Sequence, residues 1–88
     1  MKGSENMTLR ERLRFTRTNY GLSQDSLAHF IIGESGKPVT RNYINCIENN
    51  TGNVVITDKR LIEILNIIYK VGELKKRENL TNKELLKL

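Results

Sequence analysis

The 88-residue sequence has one cysteine, one histidine, one proline and no tryptophan. The lone thiol, Cys46, excludes an internal disulfide and any zinc site built on several cysteines, and it is typical of a reducing compartment. No cysteine or carboxylate stands at ligand spacing from His29, so we expect no metal and no other cofactor. Because the sequence has no bilayer-length apolar run and no apolar segment of a secretory signal at its start, we expect a cytoplasmic protein.

Strand patterning and catalytic groupings are missing as well. No segment of any length alternates apolar and polar residues, and the sequence shows no nucleophile–base pair, no paired carboxylates in an apolar setting and no phosphate-binding loop. With 38% hydrophobic residues, the chain is too apolar to be fully disordered. Its length has room for one domain. The sequence therefore predicts a small all-α domain that is not an enzyme.

The formal net charge is +5. A basic small domain suggests a polyanionic partner, either nucleic acid or an anionic membrane surface, although the positions of the cations say more than their total. Arg10, Arg12 and Arg14 lie off the apolar stripe of the first predicted helix. We interpret them as a solvated helix face rather than as a binding patch.

Hydroxyl side chains that precede apolar periodicity predict the starts of the helices. Thr8, with Glu11 in a capping box, opens a first helix from Leu9 to about Asn19. Ser23 opens a second helix, from Gln24 to about Ile31, and Thr40 a third, from Arg41 to Glu48 or Asn49. The short apolar run 54–56 is either extended or tucked under the core.

A fourth helix is predicted to begin after Thr57 or Asp58 and to end near Lys70. Its apolar residues cover more than half of its circumference, so it needs burial on two sides. We interpret Gly72 as an end or a kink, and residues 75–77 as a solvated linker. A second capping box, formed by Thr81 and Glu84, opens a short fifth helix.

An ordered set of residues runs through these helices: Leu22, Ser23, Gln24, Ala28, Gly33, Val39, Thr40, Arg41, Ile44, Ile47 and Glu48. With the apolar fourth helix, this set resembles the Cro/phage-repressor type helix-turn-helix domain, also called the xenobiotic-response-element family, over residues 9–69. The resemblance implies a compact five-helix fold whose third helix enters the major groove of DNA. It divides the chain into a flexible N-terminus (1–7), the DNA-binding domain (8–70), and a C-terminal linker with a short helix (71–88).

The resemblance also implies which residues meet DNA. Gln24 contacts a phosphate at the start of the second helix, and Thr40 caps the recognition helix and is a second phosphate candidate. Arg41 and Asn42 occupy the first turn of the recognition helix, from which side chains reach base edges. Arginine pairs with guanine and asparagine with adenine, and each such pair contributes about 1–3 kcal/mol of discrimination.

Further along the recognition helix, the resemblance implies that Tyr43 stacks on a sugar or meets a thymine methyl. Asn45 and Cys46 follow on the exposed side, and Asn49 anchors the far end to a phosphate. The family usually has a longer polar side chain at the position of Cys46. For Asn42 and Asn45, an ordinary surface role remains the alternative.

The resemblance pairs Arg17 on the first helix with Glu48 on the third in a largely buried ion pair. The residues themselves agree in part, because Arg17 falls on an otherwise apolar face and needs a partner there. This pair is expected to hold the fold rather than to contact DNA.

The turn between the second and third helices departs from the family. Family members connect these helices by about four residues, whereas residues 34–38 are inserted here between Gly33 and Val39. Three outcomes stay open. The insertion bulges outward, or it follows the DNA backbone with Ser35 and Lys37 on phosphates, or it changes the angle of the recognition helix.

These inferences predict a sequence-specific regulator that binds double-stranded DNA, a repressor of phage, mobile-element or bacterial origin, associated with the nucleoid. We expect a homodimer on an inverted repeat, with recognition helices about 34 Å apart. The apolar fourth helix and the tail 74–88 are the expected dimer surface. The alternative is a protein-interaction module on the same fold, an antitoxin or anti-repressor with a toxin or antirepressor protein as its partner. The Arg- and Asn-rich third helix favours DNA.

Overall fold

The computed structural model describes residues 7–88, and in that range it has five α-helices and no strand. The predicted flexible N-terminus lies, apart from Met7, outside the described residues. The helices are α1 (Leu9–Asn19), α2 (Gln24–Phe30), α3 (Arg41–Asn49), α4 (Asp58–Glu78) and α5 (Asn82–Leu85). The all-α prediction and the number of helices are therefore confirmed for this part of the chain.

Each helix begins directly after a hydroxyl residue whose side-chain oxygen accepts a backbone N–H three residues later; these caps are Thr8, Ser23, Thr40, Thr57 and Thr81. The bond satisfies a donor that the first helical turn leaves unpaired. Glu11 and Glu84 complete the two predicted capping boxes. The backbone N–H and side chain of Thr81 lower the pKa of Glu84 below its ordinary value of 4.5. All five predicted helix starts are confirmed.

The predicted end of the fourth helix near Lys70 is wrong, because α4 continues to Glu78 and ends at Asn79 in the left-handed conformation. Gly72 is not the end of the helix. It is buried in the middle of α4, where any Cβ would overlap the ring of Tyr20. Residues 75–77 are not a linker but the last turn of α4, where positive charge interacts favourably with the helix dipole.

One hydrophobic core joins all five helices and consists of Leu13, Leu22, Leu27, Ala28, Ile31, Ile44, Ile47, Leu61, Ile64, Ile68, Val71 and Leu85. Helix α4 packs against α1, and α2 packs against α3. In addition, α3 packs against α1 and α2 against α4. Leu85 is 0% exposed. The tail expected to contribute to a dimer surface therefore contributes Leu85 to the core of its own chain, and leaves Leu86 and Leu88 exposed.

Helix α5 is fastened to the turn between α1 and α2 by one asparagine. The Asn82 Oδ1 accepts the N–H of Ser23 at 2.9 Å, and the Asn82 Nδ2 donates to the carbonyl of Gly21 at 2.9 Å. The Ser26 hydroxyl donates to the backbone carbonyl of Asn82 at 3.0 Å. These bonds place the C-terminal segment directly behind the start of α2.

The inserted residues between α2 and α3 form a small hairpin closed by backbone hydrogen bonds. The N–H of Val39 donates to the carbonyl of Ile31 at 2.8 Å, and the N–H of Gly33 to that of Lys37 at 2.8 Å. Gly36, at φ 83°, provides the left-handed residue that this tight turn needs. Residues 34–38 are exposed. The insertion thus bulges outward, while its two ends meet and α2 stays packed on α3.

Candidate nucleic-acid interface

Four of the residues predicted to meet DNA line one shallow groove of about 350 Å³: Gln24, Arg41, Asn42 and Asn45. Gln24 is half-buried at the start of α2, and the three α3 residues are exposed. The opposite face of α3 carries Ile44 and Ile47, both 0% exposed. The helix therefore presents its polar side outward beside the start of α2.

A hydrogen-bond network fixes the side chains of this groove. The Gln24 Nε2 donates to the Glu48 Oε1 at 3.1 Å and to the Asn45 Oδ1 at 3.4 Å. The Asn49 Nδ2 donates to the Asn45 backbone carbonyl at 3.0 Å and to its Oδ1 at 2.9 Å. Side chains of α2 and α3 are thereby held together across the groove.

The network decides what Asn45 can recognise. Its Oδ1 already accepts from two neighbours, whereas its amide N–H₂ donates to no group among residues 7–88. The two-bond contact with adenine needs both an acceptor and a donor. Asn45 is therefore suited to donate to a phosphate oxygen or to a base acceptor. Arg41 and Asn42 have no side-chain hydrogen bond within the described residues and are available for base edges.

A buried ion pair lies beneath the groove. The Arg17 Nε donates to the Glu48 Oε2 at 2.6 Å and its Nη2 to the Oε1 at 3.0 Å, while its Nη1 donates to the Leu22 carbonyl at 2.7 Å. The side chains are 10% and 1% exposed. Arg17 thus joins α1, the turn before α2, and α3. Because Glu48 also accepts from Gln24, the pair continues into the groove network.

The remaining predicted contacts lie outside this groove. The Thr40 hydroxyl caps α3 by accepting the N–H of Tyr43 at 3.1 Å. Tyr43 is half-buried against the core and lines a second, larger groove with Val39, Val54 and Ile56. Lys37 is exposed on the hairpin. The structure therefore gathers one cluster around Arg41 and leaves Lys37 and Tyr43 outside it.

No protein-family model, curated protein or solved structure matches this chain. None of the helices within residues 7–88 combines the length and the hydropathy needed to cross a bilayer. The same residues contain no group of three or more His, Cys, Asp or Glu side chains that could hold a metal ion.

Arg10 contacts α3, a contact that was not predicted from the sequence. Its Nη1 donates to the carbonyl of Ile47 at 2.9 Å, so its interpretation as part of a solvated face is wrong. The bond satisfies a carbonyl in the last turn of α3, which has no basic residue of its own there. Arg10 and Arg17 are seven residues apart and so share one face of α1. Because Arg17 was already expected to face α3, the seven-residue spacing indicated that Arg10 faces α3 as well.

Proposed function

We propose that this chain is a Cro/repressor-type helix-turn-helix domain that binds double-stranded DNA sequence-specifically and represses transcription. The observation that carries the proposal is the groove in which Gln24 meets Arg41, Asn42 and Asn45. A helix that buries one apolar face and presents arginine and asparagine on the other is suited to the major groove. In this arrangement α3 reads bases and α2 lies across the backbone.

The proposed roles follow from which side chains are free. Arg41 and Asn42 read base edges, because their side chains have no hydrogen bond within residues 7–88. Asn45 donates a single hydrogen bond to DNA, because its Oδ1 already accepts from Gln24 and Asn49. Thr40 and Lys37 contact phosphates, from the start of α3 and from the hairpin. Gln24 and Asn49 hold Asn45 in place, because their side-chain N–H groups already donate within the groove network.

The first test is selection from a pool of random double-stranded DNA, followed by mobility-shift assays on the enriched sequence. We expect enrichment of one sequence, and affinity that falls as salt is raised, because phosphate contacts release counterions. Failure to enrich any sequence at low salt would contradict the proposal. It would favour the alternative of a protein-interaction module of the antitoxin or anti-repressor kind.

The second test is Arg41→Ala, with Arg77→Ala as its matched control. Arg77 is an exposed arginine in the last turn of α4, and it does not line the groove. We expect Arg41→Ala to weaken binding to the selected site by about 1–3 kcal/mol and binding to random DNA by less. Equal losses on both DNAs would make Arg41 a phosphate contact. Losses of the same size for Arg77→Ala would move the interface away from α3.

A further inference from the structure

The groove network begins at a buried charge, and that charge fixes which atom each amide of the groove turns inward. The Glu48 side chain is 1% exposed and, paired with Arg17, can only accept hydrogen bonds. Gln24 therefore turns its amide nitrogen inward, where Nε2 donates to the Glu48 Oε1 at 3.1 Å. The same Nε2 donates to the Asn45 Oδ1 at 3.4 Å. Because a donor faces it there, Asn45 turns its oxygen towards Gln24.

Asn49 fills the second acceptor position of that oxygen. Its Nδ2 donates to the Asn45 Oδ1 at 2.9 Å and to the Asn45 backbone carbonyl at 3.0 Å. An amide oxygen accepts two hydrogen bonds, so with Gln24 bound as well the Asn45 Oδ1 is fully occupied. Asn45 keeps for a ligand only its Nδ2, which donates to no group within residues 7–88.

We infer that Asn45 reads a base with a keto oxygen, guanine or thymine, and that Asn49 sets this preference without touching DNA. The inference rests on the proposed function, because it assigns a base class to one residue of the same groove. In the major groove, guanine and thymine present a keto oxygen that accepts, where adenine and cytosine present an amino group that donates. Asparagine ordinarily pairs with adenine because it offers an acceptor beside its donor. Here that acceptor is occupied, so the amino group of adenine would be left without a partner.

The place of Asn45 on α3 favours a base over a phosphate. It is exposed, follows Arg41 by one helical turn, and lines the same groove. Its neighbour Ile44 is 0% exposed, so Asn45 belongs to the face of α3 that is turned away from the core. Phosphates bind at the N-terminal ends of helices, where N–H groups are free, whereas Asn45 is the central residue of α3. Arg41 and Asn45 are therefore both placed to meet base edges.

The experiment measures affinity for the selected site with each of the four bases in turn at every position. Asn45→Ala identifies the base pair that Asn45 reads, because differences between bases shrink at that position alone. There we expect the wild type to bind guanine or thymine about tenfold more tightly than adenine. In Asn49→Ala the freed oxygen can accept from adenine, so we expect this preference to fall by about tenfold. The preference at the base pair read by Arg41 should stay unchanged.

Asn66→Ala is the matched control, because Asn66 is an exposed asparagine of α4 that does not line the groove. It should leave every base preference unchanged, and circular dichroism establishes that both variants fold. Gln24→Ala frees the other acceptor position and should lower the preference against adenine as Asn49→Ala does, which gives a second reading of the same effect. An Asn49→Ala variant that weakens binding to all four bases equally would overturn the inference.

Two further outcomes would overturn it: a wild type that prefers adenine at this position, or an Asn45→Ala variant that loses affinity equally on all bases, as a phosphate contact would. Both leave the proposed function standing, because that function fails only if no sequence is selected. The hydrogen bond itself is measured without DNA. In the free protein, the side-chain amide resonances of Asn45 should shift in Asn49→Ala and stay in place in Asn66→Ala. Resonances that do not move in Asn49→Ala would show that Asn49 does not hold Asn45.

Discussion

Arg17 is the side chain on which the positions of three structural elements depend. It donates to Glu48 of α3 and to the carbonyl of Leu22 before α2, from a site on α1. No buried polar side-chain atom in the described residues lacks a partner. Such a network stabilises only as long as all its members are present, because each charge left behind is costly.

We therefore expect Arg17→Ala to lower the free energy of unfolding by about 3–5 kcal/mol, since Glu48 would be stranded in the interior. Urea denaturation followed by circular dichroism measures this loss. Arg77→Ala is the control, because Arg77 and Glu78 are exposed and 3.7 Å apart; such pairs contribute at most about 1 kcal/mol. A loss for Arg17→Ala as small as that of the control would show that the buried pair does not hold the helices.

Gly72 provides the second prediction at this scale. Replacing an ordinary helical glycine by alanine stabilises a helix by about 1 kcal/mol. Here the new Cβ would overlap the Tyr20 ring, so we expect Gly72→Ala to destabilise the fold by about 1–3 kcal/mol instead. The control is the same change in a Tyr20→Ala background, where the overlap is gone and the sign should reverse. A stabilising effect with Tyr20 present would refute the close packing.

At the scale of elements, the helix starts were predictable and the end of α4 was not. A cap is a contact between residues three apart, such as Thr57 and Arg60, and is visible in the sequence. The role of Gly72 inside α4 depends on Tyr20, a residue 52 positions away that fills the space a side chain would need. Because that contact is not visible in the sequence, a glycine after an apolar stripe indicates a helix end. Contacts between residues close in the chain were therefore predictable from the sequence, and contacts between distant residues were not.

Helix α5 has only four residues and cannot be stable alone. Its position depends on Leu85 in the core and on Asn82, which bonds to Ser23 and Gly21. We expect Asn82→Ala to leave the Ser23 N–H and the Gly21 carbonyl unpaired and to cost about 1–3 kcal/mol. Amide hydrogen exchange at residues 85–88 should quicken more than exchange in α1. The control is Lys83→Ala, at the exposed neighbouring residue. Equal effects of the two variants on stability and amide exchange would show that Asn82 does not anchor α5.

At the scale of the whole molecule, the residue types of a surface and the hydrogen bonds of that surface have different origins. The exposed face of α3 was predictable from helical periodicity, since Ile44 and Ile47 define the inner side. The bonds that fix Asn45 were not, because they depend on how closely α2 and α3 approach. Residue types on a face follow from the sequence, whereas their hydrogen-bonding capacity follows from packing.

The net charge of +5 gives no measure of how strongly this molecule holds DNA. Among the residues proposed to meet DNA the cations are Arg41 and Lys37, while residues 75–77 place three more in the last turn of α4. Only cations that reach phosphates release counterions. We therefore expect a shallow dependence of affinity on salt, to which Lys37 contributes about −1 of the log–log slope.

Lys37→Gln should reduce the magnitude of that slope by about 1, whereas Arg77→Gln should leave it unchanged. Fluorescence anisotropy across a salt series measures both variants on the same selected site. The comparison also tests whether the outward-bulging hairpin reaches the DNA backbone, since a hairpin that does not touch DNA would leave the slope of Lys37→Gln at the wild-type value. A slope that falls for Arg77→Gln alone would place the DNA against the end of α4, and α3 would then have to serve a protein partner.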